Sequence, residues 1–416
     1  MGMADTRAAR TPTNVPGQGL RLTAWRLALL MAAALAVSMA YGVTLPLMPS
    51  RVERLGAAGA EVARHTGWLT AVYTLGLFLF SPVWGALSDR VDRRVVIALG
   101  LVGGGVALWG MDLSPSLAAL YLARGGAGVM SAAVLPAVFS YIVEVSVPGR
   151  RQKRFAWVAS ATALGFLLGP AVGNVLGAMA GGGIFGKTAV GMAGSPLVVV
   201  AAICFVIAAC IALLPRYQKR ADDNAGFGGA TDDVRIWQSL ALTAVVVLGI
   251  TIAEVGLTLI SRDTPVVRPS QVAGYFALCS AVMVAVQMWL YPALERWMGE
   301  PRLVTAAMTG MALGLALLAR PLAPWMLVTG LIFGAAGIGV LIPALAVRIS
   351  SAAGPRQGWA LGRQSSAASL GQAIGAAATG VLYAQAAPLP FLSAAAVLAV
   401  AATWTAGRAS SAGTPR

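Results

Sequence analysis

Gly85-Ala86-Leu87-Ser88-Asp89-Arg90-Val91-Asp92-Arg93-Arg94 packs five charges into a short turn between two strongly apolar segments, Leu69–Trp84 and Val95–Leu113. Each flank is long enough, or nearly so, to cross a bilayer as a helix. Working outward, the 416 residues are 58% apolar and only 11% charged, with a mean hydropathy of +0.78. A soluble domain carries about a quarter charged residues, so the composition describes an integral membrane protein. The net charge of +15 does not indicate nucleic acid, because Arg and Lys fall between apolar segments and not on one basic face.

Apolar segments occur at about 25–48, 66–87, 95–113, 117–143, 155–180, 195–215, 237–260, 270–293, 302–319, 323–348, 358–386 and 389–407. The reading is an all-α membrane protein of twelve transmembrane helices in two six-helix bundles related by pseudo-symmetry. Its expected parts are an N-terminal tail (1–24), a first bundle (25–215), a linker rich in charge and Gly (216–236), a second bundle (237–407) and a C-terminal tail (408–416). The N-terminal apolar run is too long for a signal-peptide core and reads as the first span. With both termini inside, 22 of the 30 Lys and Arg fall in inside segments and 7 outside, Arg124 lying within a span. That bias supports cytoplasmic termini. The Ala-, Gly- and Arg-rich composition suggests a GC-rich bacterial genome, hence the inner membrane.

The halves echo each other. Leu164-Gly165-x-x-x-Gly169 returns as Leu370-Gly371-x-x-x-Gly375, Arg151-Gln152 as Arg356-Gln357, and the charged turn in degraded form as Pro292-Ala-Leu-Glu295-Arg296. Parallel half-repeats are one known build of secondary transporters.

The turn at 85–94 resembles the signature loop between the second and third helices of the major facilitator superfamily, roughly G-x-L-x-D-R-x-G-R-R. Gly85, Leu87, Asp89, Arg90, Arg93 and Arg94 match, while Asp92 stands where the family has Gly. The resemblance implies a cytoplasmic charge latch. Asp89 would face the positive N-terminal end of span 11, Arg93 would pair with Glu144, and Arg363 would join them. The plainer reading, loop charges that set topology, does not account for the Asp. Gly165-x-x-x-Gly169-Pro170-x-x-Gly173 in span 5 resembles the run that the family associates with antiporters, with Asn174 in place of a second Gly. Helix physics alone predicts close packing and a kink there, with no direction of transport.

Two ionisable residues lie deep in spans, where charge is costly and marks a functional site by default. Arg124 sits in span 4, roughly 10 Å from its outer end at 1.5 Å per residue, followed by Gly125, Gly126 and Gly128. The family has an Arg here linked with proton transfer, followed by a Gln that this chain replaces with Ala127. The alternative is an Arg that snorkels or bonds backbone carbonyls. Glu254 in span 7 lies at a matching depth and is the one acidic residue well inside any span. The resemblance places spans 1, 4, 7 and 10 around a central cavity, so Arg124 and Glu254 are proton-coupling candidates. The alternative for Glu254 is contact with water near the outer interface. Many drug exporters carry an acid in span 1, and residues 25–48 contain none.

Met31, Met39, Tyr73, Phe78, Phe166, Gln287 and Gln364 are candidate cavity residues. The paired prolines of Tyr41-Gly42-x-x-x-Pro46-x-x-Pro49 resemble those of twelve-span drug and tetracycline exporters. His65 reads as a solvated loop residue and Cys204, Cys210 and Cys279 as buried structural thiols. No nucleotide-binding loop, metal-ligand cluster or nucleophile motif appears, so no enzyme and no cofactor are expected. The partners are then the bilayer, protons and a small solute, and the chain a monomer. The expected function is proton-driven export of a drug-like compound or metabolite. The alternatives are a proton-coupled uptake symporter and a non-transporting membrane receptor.

Overall fold

The computed structural model describes residues 23–145, 154–172 in part, 195–214, 234–268, 271–320, 323–352 and 357–411. Helices account for almost all of them, and no strand occurs among the described residues. In chain order they are α1 (Ala24–Arg54), α2 (Ala60–Arg90), α3 (Arg93–Asp112), α4 (Leu117–Ser131 continued by Val134–Val145), α5 (Ser160–Val172) and α6 (Pro196–Ala212). The second half repeats the series: α7 (Val234–Asp263), α8 (Val272–Ala285, extended through a π-helical turn to Met298) and α9 (Glu300–Leu318). It ends with α10 (Pro324–Ala352), α11 (Gln357–Gln385) and α12 (Leu389–Ser411). Nine helices among the described residues are long and apolar enough to cross a membrane; α5 and α6 are shorter apolar helices, and α11 is more polar.

Helices α1, α2 and α7 outrun the apolar segments that foretold them. Each extends by several polar residues, because backbone hydrogen bonding carries a helix past the end of its hydrophobic stretch. Pro46 and Pro49 lie inside α1 without ending it, as membrane helices allow when neighbours satisfy the freed backbone groups. His65 is a helical residue of α2, not a loop residue, and its Nδ1 lies 3.0 Å from the Tyr121 hydroxyl. The three cysteines are free thiols.

Asp92 resolves the departure from the signature loop. It is the N-cap of α3, with φ −55° and ψ 121°, and its carboxylate accepts from the Arg94 backbone N–H at 3.1 Å. The turn uses ordinary backbone space, so no glycine is needed, and the cap satisfies a helix donor that would otherwise be orphaned.

The buried apolar side chains form two large clusters. One draws on α1 to α6, and the other on α7 to α12 together with seven residues of the first half, Tyr41, Ala63, Tyr73 and Ala127 among them. Gly165 of α5 lies so close to α1 that a Cβ there would sit 2.2 Å from the Leu35 carbonyl oxygen. Gly371 of α11 meets α7 in the same way, 2.1 Å from the Ala244 carbonyl oxygen. The sequence echo is therefore a structural equivalence: α5 crosses α1 as α11 crosses α7.

The face at which α1 begins is called the near face and the opposite one the far face. The two halves meet closely toward the far face. A Cβ on Gly67 of α2 would stand 2.6 Å from both the Ala376 carbonyl oxygen and the Gly380 Cα of α11. Arg262 at the end of α7 pairs with Glu53 at the end of α1, Nε to Oε1 2.5 Å. That pair is partly exposed, so it contributes about 0–1 kcal/mol.

This far-face closure can be tested. In a background with the three native cysteines replaced, Ala63→Cys is expected to resist a membrane-impermeant maleimide, since Ala63 is buried against the second half. Adding Gly380→Leu should raise its labelling rate by roughly tenfold or more, because an inserted side chain of that size prevents the crossing. Equal labelling with and without Gly380→Leu would show that the crossing does not seal this face.

Candidate functional site

A polar and aromatic centre lies where the halves meet, and it is built from seven helices. Gly128 makes it possible: a Cβ there would fall 2.1 Å from the Tyr73 carbonyl oxygen, so α4 rests directly on α2. Arg124, one turn earlier on α4, is thereby pressed against the Tyr73 side chain. Its guanidinium carbon lies 4.4 Å from the Tyr73 ring centroid and 5.6 Å from that of Tyr41. Its Nη1 donates to Thr44 Oγ1 at 2.7 Å, and Thr44 in turn donates to the Tyr41 carbonyl at 2.7 Å. Arg124 is 1% exposed. A desolvated cation over an aromatic face gains about 2 kcal/mol per ring, which offsets part of the cost of burying it.

Tyr41 is the hub. Its ring stacks on Tyr73 at 5.2 Å and on Phe166 of α5 at 5.9 Å, and Phe166 meets Phe276 of α8 edge-on at 5.9 Å. The Gln372 amide of α11 donates to the Tyr41 hydroxyl at 2.8 Å. These last two contacts cross from one half to the other. Glu254 of α7 is half-buried, near enough for both it and Arg124 to act electrostatically on the Tyr41 hydroxyl. Its carboxylate makes no ion pair among the described residues. Arg124 and Glu254 thus both lie within electrostatic reach of Tyr41 and form no ion pair with each other.

The candidate cavity residues divide. Tyr73 and Phe166 belong to this centre. Met31 and Met39 pack into the core of the first half. Gln287 lies in the π-helical turn of α8, half-buried, and Gln364 is buried near the start of α11. Tyr41, Thr44, Phe276 and Gln372 were not selected from sequence. Thr44 and Tyr41 carry a signal in hindsight, since two polar groups three residues apart on an apolar helix share a face.

At the near face, Arg94 clasps Asp92 through Nη2–Oδ2 at 2.7 Å and also donates to the Leu214 carbonyl at the end of α6. It is a brace within the first half. Arg363 of α11 lies over the Trp237 ring of α7 at 5.0 Å, within the second half. Arg93 starts α3. The side chains of Asp89, Arg90 and Glu144 lie outside the described residues, as does Gly173. Gly169 abuts α1, where a Cβ would stand 2.6 Å from the Val43 backbone nitrogen, and Pro170 follows it, buried. No group of His, Cys, Asp or Glu that could hold a metal ion occurs among the described residues.

Comparison with known proteins agrees with this architecture. The chain is similar to Multidrug resistance protein 2 of Bacillus subtilis, 26% identical over 86% of this chain and 89% of that protein. It is similar to Quinolone resistance protein NorA of Staphylococcus aureus, 22% identical over 83% of this chain and 87% of that one. Among solved structures it matches a bacterial homolog of the human lysosomal transporter Spinster, with a TM-score of 0.71 at 17% identity over 91% of this chain and 95% of that one. It also matches the human organic anion transporter MFSD10 (TETRAN), with a TM-score of 0.66 at 19% identity over 91% and 98%. Residues 30–262 match the Major Facilitator Superfamily, and the chain belongs to that family.

Proposed function

We infer that the chain is a secondary active exporter that moves a small organic solute out of the cell in exchange for protons. The observation that carries this reading is Glu254. It is a carboxylate deep in α7, without an ion-pair partner among the described residues, at the centre where the two halves meet. A carboxylate there can hold a proton while the site is closed and lose it when water or a cation approaches. A relay of that kind couples proton movement to rearrangement of the halves. The relatives named for multidrug and quinolone resistance support drug-like cargo, and the span-5 run supports export over uptake.

In this reading the near face is cytoplasmic, both termini lie inside, and the protein sits in the bacterial inner membrane as a monomer. The proton gradient supplies the energy, with no cofactor. The far face is then the outer one, and its closure around Gly67 and Gly380 is one of the two gates that must alternate.

Purified protein in proteoliposomes under an imposed pH gradient tests the reading with a panel of drug-like cations, organic acids and metabolites. Solute is expected to move opposite to protons. Movement with protons would establish uptake, and absence of flux across the panel with solute still bound would point to a receptor. For the near-face gate, Asp89→Asn is expected to slow exchange by roughly fivefold, the worth of about 1 kcal/mol of helix-end electrostatics. Solute binding should stay unchanged; equal loss of binding and flux would count against a gating role.

A further inference from the structure

The Arg124 guanidinium is incompletely satisfied in an instructive way. Nη1 is held by Thr44 Oγ1 and the flat faces by Tyr73 and Tyr41, whereas Nε and Nη2 are buried without a hydrogen-bond partner among the described residues. Those two nitrogens form one edge of the fork, the edge whose parallel N–H groups match the two oxygens of a carboxylate. No acidic side chain of the described residues pairs with it. An arginine cannot relieve its burial by losing a proton, and an unpaired charge at this depth is costly. The side chain is therefore held in place with its carboxylate-binding edge unpaired among the described residues.

What surrounds that edge fits a particular ligand. Tyr41, Tyr73, Phe166 and Phe276 form a connected set of rings beginning at the guanidinium and ending in the second half. Gln372, bonded to the Tyr41 hydroxyl, and Glu254, within electrostatic reach of it, are half-buried polar groups beside the rings. Resting on the exporter reading above, we propose that the cargo site accepts planar aromatic carboxylic acids. The acid group docks on Arg124 Nε and Nη2 and the ring system on the Tyr41–Phe166–Phe276 set. Thr44 holds the guanidinium through Nη1 and so leaves the Nε–Nη2 edge to the ligand. Docking requires the Tyr41 and Tyr73 rings to part, because Arg124 is closed off from solvent behind them.

The test uses the purified full-length protein in nanodiscs and three ligands of one shape: naphthoate, its neutral amide and the corresponding aryl trimethylammonium cation. Naphthoate is expected to bind at least about tenfold more tightly than the amide, the worth of one charge-assisted bond. Arg124→Gln should bring naphthoate down to the level of the amide while leaving the amide within about twofold, and Arg124→Lys should keep part of the preference. The wild-type comparison of acid and amide stands alone if the variants fail to fold. Equal binding of acid and amide, tighter binding of the cation, or no binding of any of the three overturns the proposal. Proton-driven export of the cationic members of the transport panel, persisting alongside such a result, would leave the exporter reading intact.

Discussion

Glu254→Gln is expected to eliminate pH-driven solute flux while leaving a folded protein. Glutamine keeps the size and hydrogen-bonding reach of the protonated acid, so the half-buried position on α7 tolerates it. What it removes is the ionised state. An ionised side chain at the centre of a membrane helix costs about 3 kcal/mol on insertion scales. At about 1.4 kcal/mol per factor of ten, deprotonation at this depth biases the two arrangements of the halves by roughly a hundredfold. A residue that cannot ionise supplies none of that bias. Flux driven by an imposed pH gradient should fall by about two orders of magnitude. Exchange of labelled for unlabelled solute, which needs no net proton movement, should continue. Preserved gradient-driven flux in this variant would sink the assignment and move attention to Arg124 or to residues outside the described segments.

The positions of Arg124 and Glu254 were legible because each interrupts an apolar run, and one charge in a span stands out against a neutral background. The packing of α5 on α1 was legible through Gly165 and Gly169, since small residues four apart signal close approach. Tyr41, Phe276 and Gln372 were not, because a helix that is apolar all round hides which of its faces turns inward. Tyr41 lies on the face of α1 that meets Phe166 of α5, and nothing in the apolar pattern of α1 marks that face. The cap role of Asp92 was concealed for another reason. Resemblance supplied an expected glycine, while local chemistry offered an acidic cap that suits the start of a helix equally well. The helical ends of α1, α2 and α7 were missed because apolar patterning stops where the bilayer stops, and backbone hydrogen bonding does not.

A matched pair of substitutions tests the duplicated packing most directly. Gly165→Ala and Gly371→Ala are each expected to destabilise the protein by about 2–3 kcal/mol, toward the upper end of what overpacking costs. In both cases the atom in the way is a main-chain carbonyl oxygen, at 2.2 and 2.1 Å from the would-be Cβ. A side chain in the way can change rotamer, but a carbonyl fixed in helix α1 or α7 cannot. The two helices must move apart, which loosens the contacts that place Tyr41 in the first half and Glu254 in the second. The gain in helix propensity from Gly to Ala, about 1 kcal/mol, is too small to offset this. Gly104→Ala is the control, since nothing stands within 4 Å of its would-be Cβ; there the propensity gain should leave stability unchanged or slightly raised. Thermal unfolding in one detergent, followed by helical circular dichroism, should therefore rank the control above both variants, with the two variants alike. Unequal losses would mean that the two halves, though built from the same crossing, do not depend on it equally; no loss in either would refute the crossing itself.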